Sequence, residues 1–144
     1  MQGTKETEHC TVIYNGVDRH TRGQSGVTIR IHKSILNKID HYKFWNDRVV
    51  ETRLKAQRGH LLAVCPSTEG RDELNEKFYE TLQKILDKVN KNDCIMLIGD
   101  MNVRVGNNRV ANIVGKNGEA TLNSNGRTLI DLCTFNNLKI MNLF

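Results

Sequence analysis

Two polar side chains, Asp100 and Asn102, have the residue types and spacing best suited to chemistry in this 144-residue sequence. They follow the apolar run Cys-Ile-Met-Leu-Ile at 94–98, which predicts a strand. Ligands of open α/β sheets bind at the carboxyl ends of strands, and side chains two residues apart point the same way while the chain stays extended. A carboxylate can orient a water or hold a hard cation, and a carboxamide can donate to a phosphate oxygen. The pair therefore predicts phosphoryl chemistry, with an ordinary Asp/Asn turn as the alternative.

The sequence before this pair predicts a helix and a buried strand. Apolar residues recur at helical spacing from about 71 to 90, with acidic residues near the start and Lys88 and Lys91 near the end, as the helix dipole prefers. The run at 94–99 is apolar at nearly every position, which predicts a central strand covered on both faces.

The sequence after the pair predicts a long loop followed by a helix. Residues 101–125 are rich in Asn and Gly and have no sustained period, which is typical of a functional or mobile connection. Ser124 or Asn125 can cap a helix that reaches about Asn136. The apolar end of the chain, 138–144, predicts a last strand.

Earlier segments complete an α/β (α+β) fold. Residues 11–14 predict a strand, and the alternation at 26–33 predicts a half-buried strand with His32 on its exposed face. An extended segment at 48–54 and a strand at 60–65 predict an antiparallel pair.

Composition favours one intracellular domain. Hydrophobic residues make up 38% of the chain, and no apolar run approaches the roughly 20 residues that a membrane helix needs, so we expect no membrane partner. The N-terminus lacks the apolar stretch of a secretory signal. The four cysteines lack zinc spacing, and Cys94 and Cys133 lie in apolar runs that predict buried thiols. These features predict a nuclear or cytoplasmic protein.

The net charge of +5 is unevenly distributed along the chain. Residues 1–60 carry 11 basic and 6 acidic side chains, whereas residues 61–144 carry 10 of each. Such a surplus predicts either a face that meets polyanions or a simply solvated surface.

Several segments together resemble a known family. The segment VNKNDCIMLIGDMNVRVG, with its Gly-Asp-Met-Asn motif, is similar to the strand and GDxN motif of the endonuclease/exonuclease/phosphatase superfamily. The later segment NSNGRTLIDLC resembles the branch carried by non-LTR retrotransposons and by craniofacial development protein 2-like host proteins. The resemblance covers residues 11–143 in order.

The resemblance implies a fold, a reaction and a set of site residues. The family folds as a four-layer αββα sandwich and hydrolyses phosphodiester bonds with Mg²⁺, which implies DNA as the partner and no defined protein partner. Asp100 would orient the attacking water or bind the metal, and Asn102 would contact the scissile phosphate or Asp100. Asn125 matches a family turn and would contact substrate or serve only the structure, and Gly126 would let the loop enter its helix.

The sequence also departs from the family pattern, so residues 1–144 are expected to form an incomplete, partial sandwich. The family's metal-binding Glu segment would precede residue 1, and its Asp-His acid/base segment would follow Phe144. Glu6 mimics the metal-binding segment but lies only eight residues before Tyr14, about half the expected distance, which makes it a poor metal ligand. If Pro66 aligns with the family's proline, Val64 takes the place of the catalytic tyrosine.

These departures favour an inactive fragment of a Mg²⁺-dependent endonuclease domain. Two alternatives remain on the same scaffold. One is a non-catalytic module that binds nucleic acid through residues 19–58, and the other is a protein-interaction module.

Overall fold

The computed structural model describes residues 1–16, 25–55, 59–66 and 72–144. The chain divides into two compact units. The first comprises Met1–Pro66 and Lys88–Met101, and the second comprises Ser67–Asp87 and Asn102–Phe144.

The first unit begins with a three-stranded antiparallel sheet of strands β1 (Gln2–Glu6), β2 (Cys10–Gly16) and β3 (Gly26–His32), in that order. The predicted alternation in β3 is confirmed, since its side chains are alternately exposed and buried. His32 is exposed, as predicted, and its ring accepts a hydrogen bond from the Ser34 N–H at 3.2 Å. This contact caps the short helix α1 (Lys33–Leu36).

A second sheet of four strands completes the first unit. Its strands are β4 (Ile39–Asn46), β5 (Val49–Leu54), β6 (Gly59–Val64) and β7 (Cys94–Ile98), in that order. The predicted antiparallel pairing of β5 with β6 is confirmed. By contrast, β6 and β7 are parallel, with Leu61 opposite Met96.

The two sheets share one hydrophobic core, as in a sandwich. Side chains from β2 and β3 meet Val50 of β5 and Ala63 of β6, with Ile39 and Phe44 of β4 packed against them. Each fully buried aliphatic side chain contributes about 1.5–3 kcal/mol relative to an exposed one. The two sheets and the helices confirm the predicted α/β (α+β) class.

The prediction that β7 is covered on both faces is wrong. Among the described strands β7 pairs only with β6, so it lies at an edge of the sheet. Met96 is 56% exposed and Ile98 is 39% exposed, and Cys94 on the same face is also exposed. The prediction of a buried Cys94 thiol is wrong for the same reason, because the other sheet covers the inner strands and not this edge.

The second unit contains two longer helices, α2 (Asp72–Leu86) and α3 (Ser124–Phe135). The predicted helix over 71–90 is confirmed but ends earlier, and its predicted first residue lies outside the described part of the chain. The irregular connection before α3 is also confirmed. Cys133 is buried, as predicted, and burial raises the pKa of its thiol to about 11. No helix in the described ranges is long and apolar enough to cross a membrane.

Two sequence predictions for this unit are wrong. The helix cap is Asn123 rather than Ser124 or Asn125, and its Oδ1 accepts from the Gly126 N–H at 2.8 Å. The predicted last strand is instead a short 3-10 helix, Met141–Leu143. The chain end bonds to a loop rather than to a strand, since the Ile140 N–H donates to Ile113 and the Leu143 carbonyl accepts from Asn117.

We expect Asn123→Ala to lower the free energy of unfolding by about 1 kcal/mol, because it removes the cap acceptor of α3. Ser124→Ala is the matched control and should change stability by only a few tenths of a kcal/mol. Urea denaturation followed by circular dichroism measures both. A larger effect at Ser124 than at Asn123 would contradict the assigned cap.

Candidate functional site

The carboxyl ends of the parallel strands β6 and β7 meet at one edge of the second sheet. Val64 ends β6 there and Ile98 ends β7. The next residue, Gly99, has a φ of 144°, a conformation that side chains rarely adopt, and a Cβ at this position would collide with the Val64 carbonyl oxygen. Only glycine therefore allows the chain to leave β7 this close to β6.

Asp100 follows this glycine and is exposed at the same edge. Asn102 belongs to the start of the second unit, is partly exposed and has a φ of 48°. The chain beyond Ile98 is therefore not extended. The rule that side chains two residues apart in a strand point the same way does not apply to Asp100 and Asn102. Asp100 thus lies after the carboxyl end of β7, as the sequence predicts, and its function as a ligand-binding carboxylate stays a prediction.

Val64, which takes the place of the family tyrosine if Pro66 aligns with the family's proline, is a buried hydrophobe. Val64 is 2% exposed and offers no polar atom from its side chain. Tyr79 lies in α2 and donates from its hydroxyl to the Asn125 carbonyl at 3.2 Å. Burial is the main cause that raises the pKa of Tyr79 to about 12, and the nearby Cys133 contributes less. This phenol therefore stays protonated near neutral pH.

Asn125 lies in the interior of the second unit. It is 4% exposed, and its Oδ1 accepts from Asn75 Nδ2 at 3.1 Å. The neighbouring Gly126 is required by close packing, because a Cβ there would collide with the Arg104 carbonyl. These contacts hold Asn125 in place at the start of α3, and a contact of Asn125 with substrate stays a prediction.

The described residues offer few protein ligands for a magnesium ion. No three His, Cys, Asp or Glu side chains within these ranges are grouped so that they could hold a metal ion. Glu6, at the end of β1, pairs in register with Thr11 and is exposed. Asp100 can contribute one carboxylate, whereas Mg²⁺ requires six oxygen ligands in all.

A buried polar network, which the sequence analysis missed, lies at the opposite end of the parallel strands. His60, at the start of β6, lies between two carboxylates: Nδ1 is 2.8 Å from Glu51 Oε1, and Nε2 is 3.1 Å from Asp93 Oδ2. Arg53 Nη1 donates to the same Asp93 oxygen at 2.8 Å, and Trp45 Nε1 donates to Glu51 at 2.7 Å.

The network stabilises the charged form of Asp93, whose side chain is fully buried. Burial alone would raise the pKa of Asp93, but the hydrogen bond and charge of Arg53, together with a hydrogen bond from Asn90 and the charge of His60, outweigh burial and lower it below the ordinary 3.8. The network joins strands β4, β5 and β6 to the residue that precedes β7. It is therefore a structural tie, at the end of the sheet away from Asp100.

Comparison with known proteins supports part of the predicted resemblance. The chain is 32% identical over 122 residues to craniofacial development protein 2 of Tragulus javanicus and 31% identical over 122 residues to craniofacial development protein 2 of Bos taurus. The matches cover 83% of this chain but 21% of each relative, so the chain spans about a fifth of their length. No family model matches the sequence, and no solved structure matches it. The similarity to craniofacial development protein 2 is confirmed, and membership of the endonuclease superfamily stays a prediction.

We expect Gly99→Ala to lower the free energy of unfolding by about 1–3 kcal/mol. The new Cβ must displace the Val64 carbonyl, and alanine must adopt a φ that is unfavourable for it. Gly26→Ala is the control, since a Cβ at Gly26 meets no atom closer than 3.4 Å. Urea denaturation measures both variants. Equal stability of the two variants would contradict the close approach at Gly99.

We expect Asp93→Asn to lower the urea midpoint at neutral pH, because Arg53 and His60 then lose a charged acceptor. The folded-state pKa lies below the unfolded value, so the stabilisation is present above about pH 4 and is lost as pH falls through the folded pKa. The two proteins should therefore converge in stability in acid. Asp40→Asn is the control, since its carboxylate is 54% exposed. A constant difference between wild type and Asp93→Asn at every pH would contradict the ionic contribution.

Proposed function

We propose that this chain carries the Asp100-bearing edge of a phosphodiester-hydrolysing endonuclease domain, and that the chain by itself does not cleave DNA. The observation that carries the proposal is the exposed Asp100 directly after a parallel strand, at the edge where such sheets bind ligands. The similarity to craniofacial development protein 2 supports the resemblance on which the reaction class rests.

In the proposed reaction, Asp100 would orient a water toward a phosphodiester phosphorus. The family pattern adds Mg²⁺ as the ion that polarises the phosphate, and DNA as the substrate. Asn102 would contact a phosphate oxygen through its amide, as the motif implies. A single carboxylate can position water, but hydrolysis also requires a group that protonates the leaving alkoxide.

The position of His60 in β6 supports the proposed inactivity. A general acid must come within hydrogen-bond reach of the reacting atoms. His60 lies opposite Ile95, and the strand from Ile95 to Ile98 alone spans roughly 10 Å. His60 is also held between Glu51 and Asp93, so it is not available to protonate a leaving group beside Asp100.

We expect the full chain to nick supercoiled plasmid in Mg²⁺ no faster than Asp100→Asn does, because removing one member of a catalytic set already costs orders of magnitude in rate. EDTA provides the second control. Nicking by the wild type that both EDTA and Asp100→Asn abolish would contradict the proposed inactivity.

The proposed ligand function of Asp100 has a separate readout. Paramagnetic Mn²⁺ should broaden the amide resonances around Asp100 in the full chain, and Asp100→Asn should remove this broadening. Asp87→Asn serves as the control, because Asp87 is also exposed. Equal broadening in wild type and Asp100→Asn would contradict the ligand function.

The alternative, a non-catalytic module that binds nucleic acid, is favoured by the basic surplus in residues 1–60. Part of the segment first assigned to it, residues 19–24 and 56–58, lies outside the described residues. Electrostatic binding of this kind would fall steeply with salt and would not change in Asp100→Asn.

A further inference from the structure

A groove runs between helices α2 and α3 of the second unit. It is a shallow groove of about 280 Å³ that is open to solvent, and its apolar lining comes from Tyr79, Leu132 and Phe135. Leu132 is buried at the floor, whereas Phe135, at the last position of α3, is 75% exposed. An aromatic ring this exposed beside a groove is available as a contact for another apolar side chain.

The charged residues of the groove are acidic, and its other polar residues, Gln83 and Thr128, are neutral. Glu80 and Asp131 line it from the two helices, and Glu76 lines an adjoining depression one turn earlier along α2. Among the described residues, no Lys or Arg lines the groove or the adjoining depression. Lys84 Nζ lies 3.8 Å from Glu80 Oε2, but both side chains are about two-thirds exposed and such a pair is weak. The groove therefore presents an apolar floor with a negative rim.

The adjoining depression contains two unpaired polar atoms. Asn75 and Asn125 line it and are each 4% exposed. Asn75 Oδ1 and Asn125 Nδ2 have no hydrogen-bond partner among the described residues. One unpaired acceptor and one unpaired donor are the complement of a peptide group, which offers one N–H and one C=O.

We propose that the groove between α2 and α3 binds a basic protein segment that inserts one large apolar side chain. The apolar side chain would pack on Phe135 and Leu132. Lysine or arginine residues on either side would pair with Glu80 and Asp131. The three carboxylates disfavour nucleic acid at this surface, because phosphate groups would be repelled. The proposal is independent of Asp100 and of the phosphodiesterase reaction.

The test is a selection of random short peptides on the immobilised full chain. The enriched peptides should carry Lys or Arg beside Leu, Phe or Trp. A labelled peptide of the most enriched sequence should bind the chain about tenfold more weakly after Phe135→Ala. The double variant Glu80→Lys with Asp131→Lys should weaken binding by about tenfold or more.

Matched controls separate the groove from the rest of the surface. Met141→Ala removes another apolar side chain of the same unit that is 69% exposed, and Glu73→Lys reverses an exposed charge on α2 outside the groove. Both should leave the affinity within about twofold of wild type. Circular dichroism confirms that each variant is folded.

Several outcomes would overturn the proposal. They are a lack of enrichment on wild type relative to the charge-reversed protein, enrichment of acidic peptides, and equal loss of binding in the controls. Tighter binding of a DNA oligonucleotide than of the selected peptide, weakened by Phe135→Ala, would also overturn it.

Discussion

Parallel pairing of β6 with β7 is the constraint on which the arrangement of the first unit depends. Parallel strands cannot be joined by a tight turn, so the chain must leave the sheet after Pro66 and return before Cys94. The same pairing brings both carboxyl ends to one edge and both amino ends to the other. Asp100 therefore lies at one end, and the buried contacts of His60 and Asp93 lie at the other.

The two ends of this strand pair have opposite polar organisation. At the amino end, four charged or aromatic side chains form a hydrogen-bonded network with His60 that connects the strands. At the carboxyl end, a glycine with an unusual φ releases the chain and leaves Asp100 exposed. A sheet that is rigid at one end and exposes a carboxylate at the other is suited to presenting that carboxylate to a ligand.

Local patterns in the sequence predicted some elements well and misjudged others. The alternation in β3 and the apolar stripe of α2 are local signals, and both were confirmed. Strand β1 was missed because its residues, Gln2–Glu6, are mostly polar and become a strand only by pairing with β2. The apolar run of β7 predicted a central strand, but composition cannot show how many neighbours a strand has.

The residues of the candidate site also differ in how well the sequence predicts them. Asp100 was found because its signal, a carboxylate after an apolar run, is contiguous in sequence. The network around His60 was missed because Glu51 and Asp93 are 9 and 33 residues away and meet it only through strand register. Asn125 was expected either to contact substrate or to be structural, and its contacts with Asn75 and Tyr79 join residues 46 to 50 positions apart in the sequence. Such long-range contacts have no signature in one sequence.

The edge strand β7 has a consequence for the chain during synthesis and storage. Its five residues include no charge and no proline, and its exposed face carries Cys94, Met96 and Ile98. Natural sheets usually protect such an edge with lysine, proline or a bulge. Without that protection, β7 offers its backbone as a template for strands of other molecules. We therefore expect the association of chains through this edge to rise with protein concentration.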